Sequence, residues 1–223
     1  MKSSPEKCAN APLRIIDCGL ADYRLILARQ HELCEKRRLG AIPDTVLVVE
    51  HPPVITLGAR RSANKLIAEP ADLANRNIDI VNIRRGGGTT AHNPGQLVFY
   101  PILNLQELAL GISEYVRTLE IIGIELLEEF GVRSEQRKGL VGLWVGPRKI
   151  ASIGVRVSKF VTHHGMAINI HNDLTIFETL VPCGLEDVEM TSILKETGNR
   201  PSMNAVKERL SPLLEKHLRR PTT

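Results

Sequence analysis

The sequence predicts a single α+β domain in which a mixed β-sheet is flanked by helices. Three observations carry that expectation. Short β-branched runs and amphipathic stretches interleave irregularly, without the strict alternation of a doubly wound parallel sheet. A hairpin pattern sits in the middle of the chain. Finally, 223 residues accommodate one sizeable core, and no stretch has the composition of an interdomain linker. Residues 1–12 are polar, carry two prolines and read as a flexible N-terminal tail, which leaves 13–223 as the folded unit.

Along the chain, Asp22 is placed to cap a helix from Tyr23 to about Leu39, with Leu25, Ile26 and the stretch Ala28 to Leu33 as its buried side. Thr45 to Val49 and Val54 to Leu57 are strands, separated by the break at Pro52-Pro53. Leu97 to Leu103 contains Pro101, which cannot donate to a ladder, so this run is expected at a sheet edge or a strand end. Ile112 to Phe130 is a helix with Val116, Leu119, Ile122 and Leu126 on one stripe, stopped by Gly131. Leu140 to Val145 and Lys149 to Val157 flank the turn Gly146-Pro147-Arg148 as a hairpin, and Gly165 to Ile170 is a further strand. Ser202 caps a last helix from Met203 towards Leu218, which Pro212 should kink or interrupt.

Composition narrows the function. Hydrophobic residues at 43% and charged residues at 24% exclude disordered, collagen-like and coiled-coil architectures. No apolar run approaches the roughly 18 residues of a membrane span, and Met1 to Glu6 lacks the apolar core of a signal peptide, so a cytoplasmic protein with no membrane partner is expected. Cys8, Cys18, Cys34 and Cys183 form no Cys-x-x-Cys pair, which predicts reduced thiols. No Cys/His set has zinc-site spacing, so no metal is expected. The formal charge of +4 is gathered at Lys36-Arg37-Arg38, Arg60-Arg61, Arg84-Arg85 and Arg219-Arg220. Such clusters either steer an acidic partner or are solvated faces; with aromatics at 4% and no nucleic-acid-binding signature, nucleic acid is not the expected partner.

Arg84 to Gln96 is the densest cluster of special residues. Its glycines, Gly86, Gly87 and Gly88, permit backbone N–H groups to approach a carbonyl or phosphate oxygen, and a flexible turn is the equal alternative. The cluster has neither P-loop nor dinucleotide-fold spacing. Pro182-Cys183-Gly184 sets a thiol between a residue that stiffens the chain and one that permits close approach, which suits a nucleophile, although an isolated cysteine is more often a small buried hydrophobe. Lys149, after the tight turn, is a candidate partner for that thiol, because a nearby ammonium favours the thiolate and can return its proton, although by itself a lysine after a tight turn is usually just solvated. His92, His163 and His164 are further bases, so a thiol hydrolase using His92 or His164 stays open on these residues alone.

Four segments, in this order, resemble the lipoyl(octanoyl) transferases, the lipoate-protein ligase B family. They are Glu50 to Gly58, Arg85 to Pro101, Lys149 to Arg156, and His164 to Asn169 followed by Pro182-Cys183-Gly184 and Glu189-Met190-Thr191. The resemblance implies a biotin/lipoate-protein ligase-like domain. It also implies a reaction that moves an octanoyl group from octanoyl-acyl carrier protein to a lysine of a lipoyl domain, on a dehydrogenase E2 subunit or the glycine-cleavage H protein. The enzyme would be a monomer without a cofactor, acting in the first step of endogenous lipoate biosynthesis. Cys183 would carry the acyl group as a thioester and Lys149 would lower its pKa. Arg85, Gly86, Gly87, Gly88, Thr89, Thr90, Ala91 and His92 would line the acyl pocket with Ser152, Ile153, Gly154, His164, Gly165, Met166 and Ala167. Gly88, Thr89, Ala91 and Asn93 stand where the family has a glutamine, a valine, an aromatic residue and a glycine, and Ala91 is expected to reshape the pocket wall. The triple glycine is also similar to the ATP-dependent lipoate and biotin ligases, the alternative reading.

Overall fold

A seven-stranded sheet carries the fold in the computed structural model, which describes residues 11–181 and 188–219. Its strands are β1 (Arg14–Leu20), β2 (Thr45–Glu50), β6 (Gln96–Ile102), β7 (Glu135–Arg137), β8 (Leu140–Val145), β9 (Arg148–Ser158) and β10 (Val161–Asn169), in the order β1-β2-β6-β10-β9-β8-β7. β1 and β2 run parallel and the other neighbours antiparallel. A second sheet of β3 (Val54–Leu57), β4 (Asp79–Asn82) and β5 (Thr89–His92) has β3 in the middle, parallel to β4 and antiparallel to β5. The helices are α1 (Tyr23–Arg38), α2 (Pro70–Asn75), α3 (Ile112–Glu129), α4 (Ile193–Thr197) and α5 (Met203–Leu218). This is the mixed-sheet α+β architecture that the sequence predicts.

Strand periodicity divides the interior in two. Val46 and Val48 of β2 and Leu97 and Phe99 of β6 face one core, closed by Leu119, Ile122 and Leu126 of α3 and by Val206, Leu210 and Leu214 of α5. The alternate residues Leu47, Val49, Val98 and Tyr100 face the other, closed by Ile26, Leu33 and Cys34 of α1. Burial on both faces explains why Thr45 to Val49 reads as one continuous apolar run. Gly131 adopts φ 78° just past α3, the left-handed stop expected there.

Three expectations are corrected in whole or in part. The buried residues of α1 are Tyr23, Ile26, Gln30, Leu33, Cys34 and Arg37, a three-and-four spacing, while Leu25 is 70% exposed; a contiguous stretch cannot all face inward on a helix. β6 is a central strand and not an edge, although Pro101, one residue before its end at Ile102, does sit at a strand end. Its ladder with β2 runs through Val46–Pro101, but the ladder with β10 spans only Gln96 to Phe99. Beyond it, the Thr162 hydroxyl donates to the Pro101 carbonyl at 2.6 Å and accepts from the Leu103 N–H at 2.9 Å, so the proline sits where a side chain has replaced the ladder. Finally, α5 continues unbroken through Pro212, with Val206, Leu210, Leu213, Leu214 and Leu218 buried along it.

Where the ladder between β6 and β10 ends, the two backbones come into close contact. His164 takes φ 57°, and a Cβ on Gly165 would lie 2.2 Å from the Phe99 carbonyl oxygen and 2.8 Å from Pro101 Cδ. Gly165→Ala is therefore expected to cost about 3 kcal/mol or more, since neither obstacle can yield. Gly123→Ala in α3 is the contrast: its methyl would meet Met166 Cε at 2.5 Å and Leu143 Cδ1 at 2.7 Å, side-chain ends that can turn aside, at about 1–3 kcal/mol. Urea denaturation of the two variants checks the ranking.

Candidate active site

β5, β6, β9 and β10 converge with the start of α1 on a narrow pocket, part of it open to solvent. Its wall includes Arg85, Gly87, Thr90 and His92, then Ser152, Ile153 and Gly154 of β9 and His164, Gly165, Met166 and Ala167 of β10. Three wall residues escaped the sequence reading, Tyr23, Val98 and Tyr100. Tyr23 reads as an ordinary first helical residue, and only a buried tyrosine at that position hints otherwise.

Alternation along β5 sorts the remaining expected residues. Thr90 and His92 face the pocket, whereas Thr89 and Ala91 point the other way. Ala91 is fully buried against Ile55, Leu73, Ile176 and Phe177, so it fills the core of the small sheet and does not shape the pocket wall. Gly86 and Gly88 also lie off the wall. The glycine-rich stretch is not a flexible turn. The carbonyls of Arg85, Gly87 and Gly88 accept from the N–H groups of Ala59, Arg60 and Gly58, and the Gly86 N–H donates to Val155. A Cβ on Gly88 would lie 2.2 Å from the Ala63 carbonyl oxygen. The Gly86 N–H that was to greet a ligand is thus spent on strand β9.

Arg85 is 6% exposed and lies across the pocket wall. Its guanidinium donates to the Gly86 carbonyl at 3.0 Å, and to the Thr56 carbonyl and hydroxyl at 3.0 and 2.8 Å. Of the basic clusters, Lys36-Arg37-Arg38 is neutralised: buried Arg37 pairs with Asp44 and Glu107, Lys36 with Glu32, and Arg38 with Glu35. Arg60, Arg61 and Arg84 are exposed beside the glycine-rich stretch.

A group of aromatic and imidazole rings forms one side of the pocket. His51 donates from Nδ1 to the Ala21 carbonyl at 2.8 Å and accepts at Nε2 from the Tyr100 hydroxyl at 2.9 Å. His92 stacks on Tyr23, with centroids 5.7 Å apart and planes 13° from parallel, and its Nδ1 meets Gln96 Oε1 at 2.7 Å. Burial, reinforced by neighbouring positive charge, pushes His92 and His164 down to about 3, and burial pushes His51 down to about 4. These histidines are neutral at physiological pH.

Lys149, the second residue of β9, is 1% exposed. Its Nζ donates to the Val141 carbonyl at 3.0 Å and stands 5.2 Å from the centre of the Trp144 ring. Gly142 makes the space: at φ 119° a Cβ there would lie 2.9 Å from Lys149 Cε and 2.4 Å from the Ala151 carbonyl oxygen. Beyond Asn169, where β10 ends, the chain at 189–191 takes its place beside β9. The Lys149 N–H donates to Glu189 at 2.8 Å, and the Lys149 carbonyl accepts from the Thr191 N–H at 2.9 Å. Cys183 and Gly184 lie outside the described residues; the preceding chain is fastened by a hydrogen bond from the Val181 N–H to the Lys65 carbonyl, 3.0 Å.

The neutral histidines set a pH dependence. Their folded values lie below the ordinary 6.5, so in acid the unfolded chain binds protons first and stability is lost as pH falls below about 6.5. Each of His51, His92 and His164 should contribute a slope approaching about 1.4 kcal/mol per pH unit well below 6.5. Unfolding free energies measured in urea at pH 7, 6 and 5 should fall ever more steeply; a flat profile would contradict the assignment.

The lipoyl protein ligase A/B catalytic domain matches residues 22–215. The octanoyltransferase of Desulfovibrio desulfuricans is 47% identical over 192 residues, covering 86% of this chain and 81% of its own length. That of Chloroflexus aggregans is 43% identical over 201 residues, covering 89% of this chain and 91% of its own. The crystal structure of lipoate-protein ligase A bound with ATP is similar in fold, with a TM-score of 0.76 at 17% identity over 94% of this chain and 85% of that one. With a match that takes in α1, the pocket, Lys149 and most of α5, the chain belongs to the lipoyl protein ligase A/B catalytic domain family.

Proposed function

We propose that this protein is an octanoyltransferase that takes the acyl group from octanoyl-acyl carrier protein, holds it on Cys183 and delivers it to a lysine of a lipoyl domain, such as that of an E2 subunit or the glycine-cleavage H protein. The observation that carries this reading is the buried ammonium of Lys149, clamped through its backbone to the chain that follows Cys183. The pocket on the same sheet, with Val98, Ile153, Met166 and Ala167 in its wall, suits an apolar chain. The names of the relatives at more than 40% identity support the same reaction.

Lys149 favours ionisation of the Cys183 thiol, and the thiolate attacks the thioester carbonyl of the donor. Collapse of the tetrahedral adduct expels the carrier thiolate, which takes up a proton, and leaves an octanoyl thioester on Cys183. The neutral amine of the acceptor lysine then attacks, expels the Cys183 thiolate and loses a proton, giving the amide. Exchange of one thioester for another is nearly isoenergetic and aminolysis runs downhill, so ATP is not consumed. Exposed Arg60, Arg61 and Arg84, beside the glycine-rich stretch, would attract an acidic carrier. The reaction is assigned to the cytoplasm; among the described residues no helix is long and apolar enough to cross a membrane.

Intact-mass measurement after mixing with octanoyl-acyl carrier protein, without ATP, tests the proposal. An octanoyl adduct is expected on the wild type and not on Cys183→Ala; a wild type that stays unmodified, or that turns over only with ATP, overturns it in favour of a ligase. Lys149→Met, which keeps the aliphatic stem, should slow adduct formation about 100-fold or more at neutral pH. Part of that rate should return as pH approaches the ordinary thiol value of about 8.5.

A further inference from the structure

Four buried polar groups connect the pocket to Lys149. His92 Nδ1 meets Gln96 Oε1 at 2.7 Å. Gln96 Nε2 donates to Asn169 Oδ1 at 2.9 Å and to the Ala91 carbonyl at 3.3 Å. Asn169 Nδ2 donates to the Thr191 carbonyl at 2.9 Å, and the Thr191 N–H donates to the Lys149 carbonyl, also at 2.9 Å. The backbone carbonyl of Thr191 can only accept, which fixes the direction of the whole chain. Asn169 must present its NH₂ to Thr191 and its oxygen to Gln96. Gln96 must then present its oxygen to His92, so His92 carries its proton on Nδ1.

Gln96 is 2% exposed, Asn169 1%, and neither lines the pocket. Two buried amides are costly where apolar side chains of the same volume would fit, and such networks specify a unique arrangement only when fully joined. Their shared product is the state of His92, whose Nε2 makes no hydrogen bond with the described residues although the ring is part of the pocket wall. An unprotonated ring nitrogen accepts from N–H or O–H groups and repels carboxylate and phosphate oxygens.

We infer that Gln96 and Asn169 are positioning residues that hold His92 as its Nδ1–H tautomer, so that Nε2 accepts a hydrogen bond from the attacking amine of the acceptor lysine. This rests on the octanoyl-transfer reading for the identity of the amine; the tautomer itself does not. The burial that depresses His92 keeps Nε2 an acceptor throughout the neutral range.

Nitrogen-15 NMR of the wild-type protein tests the tautomer directly. His92 should show a protonated Nδ1 and an unprotonated Nε2, and the reverse pattern or an averaged pair overturns the inference even if every variant misfolds. The second test separates the half-reactions. Wild type, Gln96→Met and Asn169→Ala are loaded with octanoyl-acyl carrier protein, the adduct is weighed, and a lipoyl domain is added. In both variants the chase should slow at least tenfold more than loading does, with the His92 nitrogen signals shifting in parallel. Equal slowing of both steps, or an unaffected chase, overturns the positioning role. A wild type that never acquires an adduct defeats the octanoyl-transfer reading and leaves the tautomer result standing.

Discussion

The burial of one ammonium group organises the far half of the large sheet. Removing a lysine from water costs several kcal/mol unless polar groups replace the lost solvent. Around Lys149 this requirement dictates the surroundings. The Val141 carbonyl accepts from Nζ, the Trp144 ring offers its face, and Gly142 leaves the space that any side chain would fill. Strand β9 also shifts register opposite β8 between Leu143 and Trp144, next to where Lys149 enters. Because the backbone of Lys149 is engaged by Glu189 and Thr191, and Thr191 in turn by Asn169, the lysine and the pocket histidine are registered on one short piece of chain.

The pocket carries one buried cation among neutral imidazoles. The Arg85 guanidinium donates to the Gly86 and Thr56 oxygens. Its positive charge is felt across the pocket, where it adds to burial in holding His92 and His164 neutral. Val98, Ile153, Met166 and Ala167 give the pocket wall an apolar side, and the imidazole and phenol rings give it a hydrogen-bonding one.

Much of this was legible in the sequence because the signals are local. The cap at Asp22, whose carboxylate accepts from the Leu25 N–H at 3.0 Å, the helix stop at Gly131 and the hairpin before Lys149 each rest on a few adjacent residues. The clustering of Arg85, His92, Ser152 and His164 around one pocket was legible only through the resemblance, since no periodicity brings β5, β9 and β10 together. What stayed hidden depends on which way an element faces. Ala91 and His92 are adjacent in the chain but point to opposite sides of β5, and Leu25 and Ile26 part company in the same way on α1. Pro101 marked a strand end but not a sheet edge, because the ladder to β10 had already given way to the Thr162 hydroxyl. Gln96 and Asn169 lie within segments that carry the resemblance, but their role stayed hidden, because a buried amide is recognised only by what it joins.

Two glycines of the pocket wall have a consequence for how such an enzyme can diversify. The stem of Arg85 lies against Gly154, where a methyl would come within 2.7 Å of its Cδ, and the Phe99 carbonyl lies against Gly165. At Gly165 the wall is fixed by the backbone of the neighbouring strand, and at Gly154 by the stem of Arg85. In the proposed reaction, variation in the length of chain accepted falls to Val98, Ile153, Met166 and Ala167, and of these Val98, Met166 and Ala167 are also buried members of the two main cores. Selectivity and stability are thus written in the same residues, and an evolutionary or engineered change in one is expected to disturb the other.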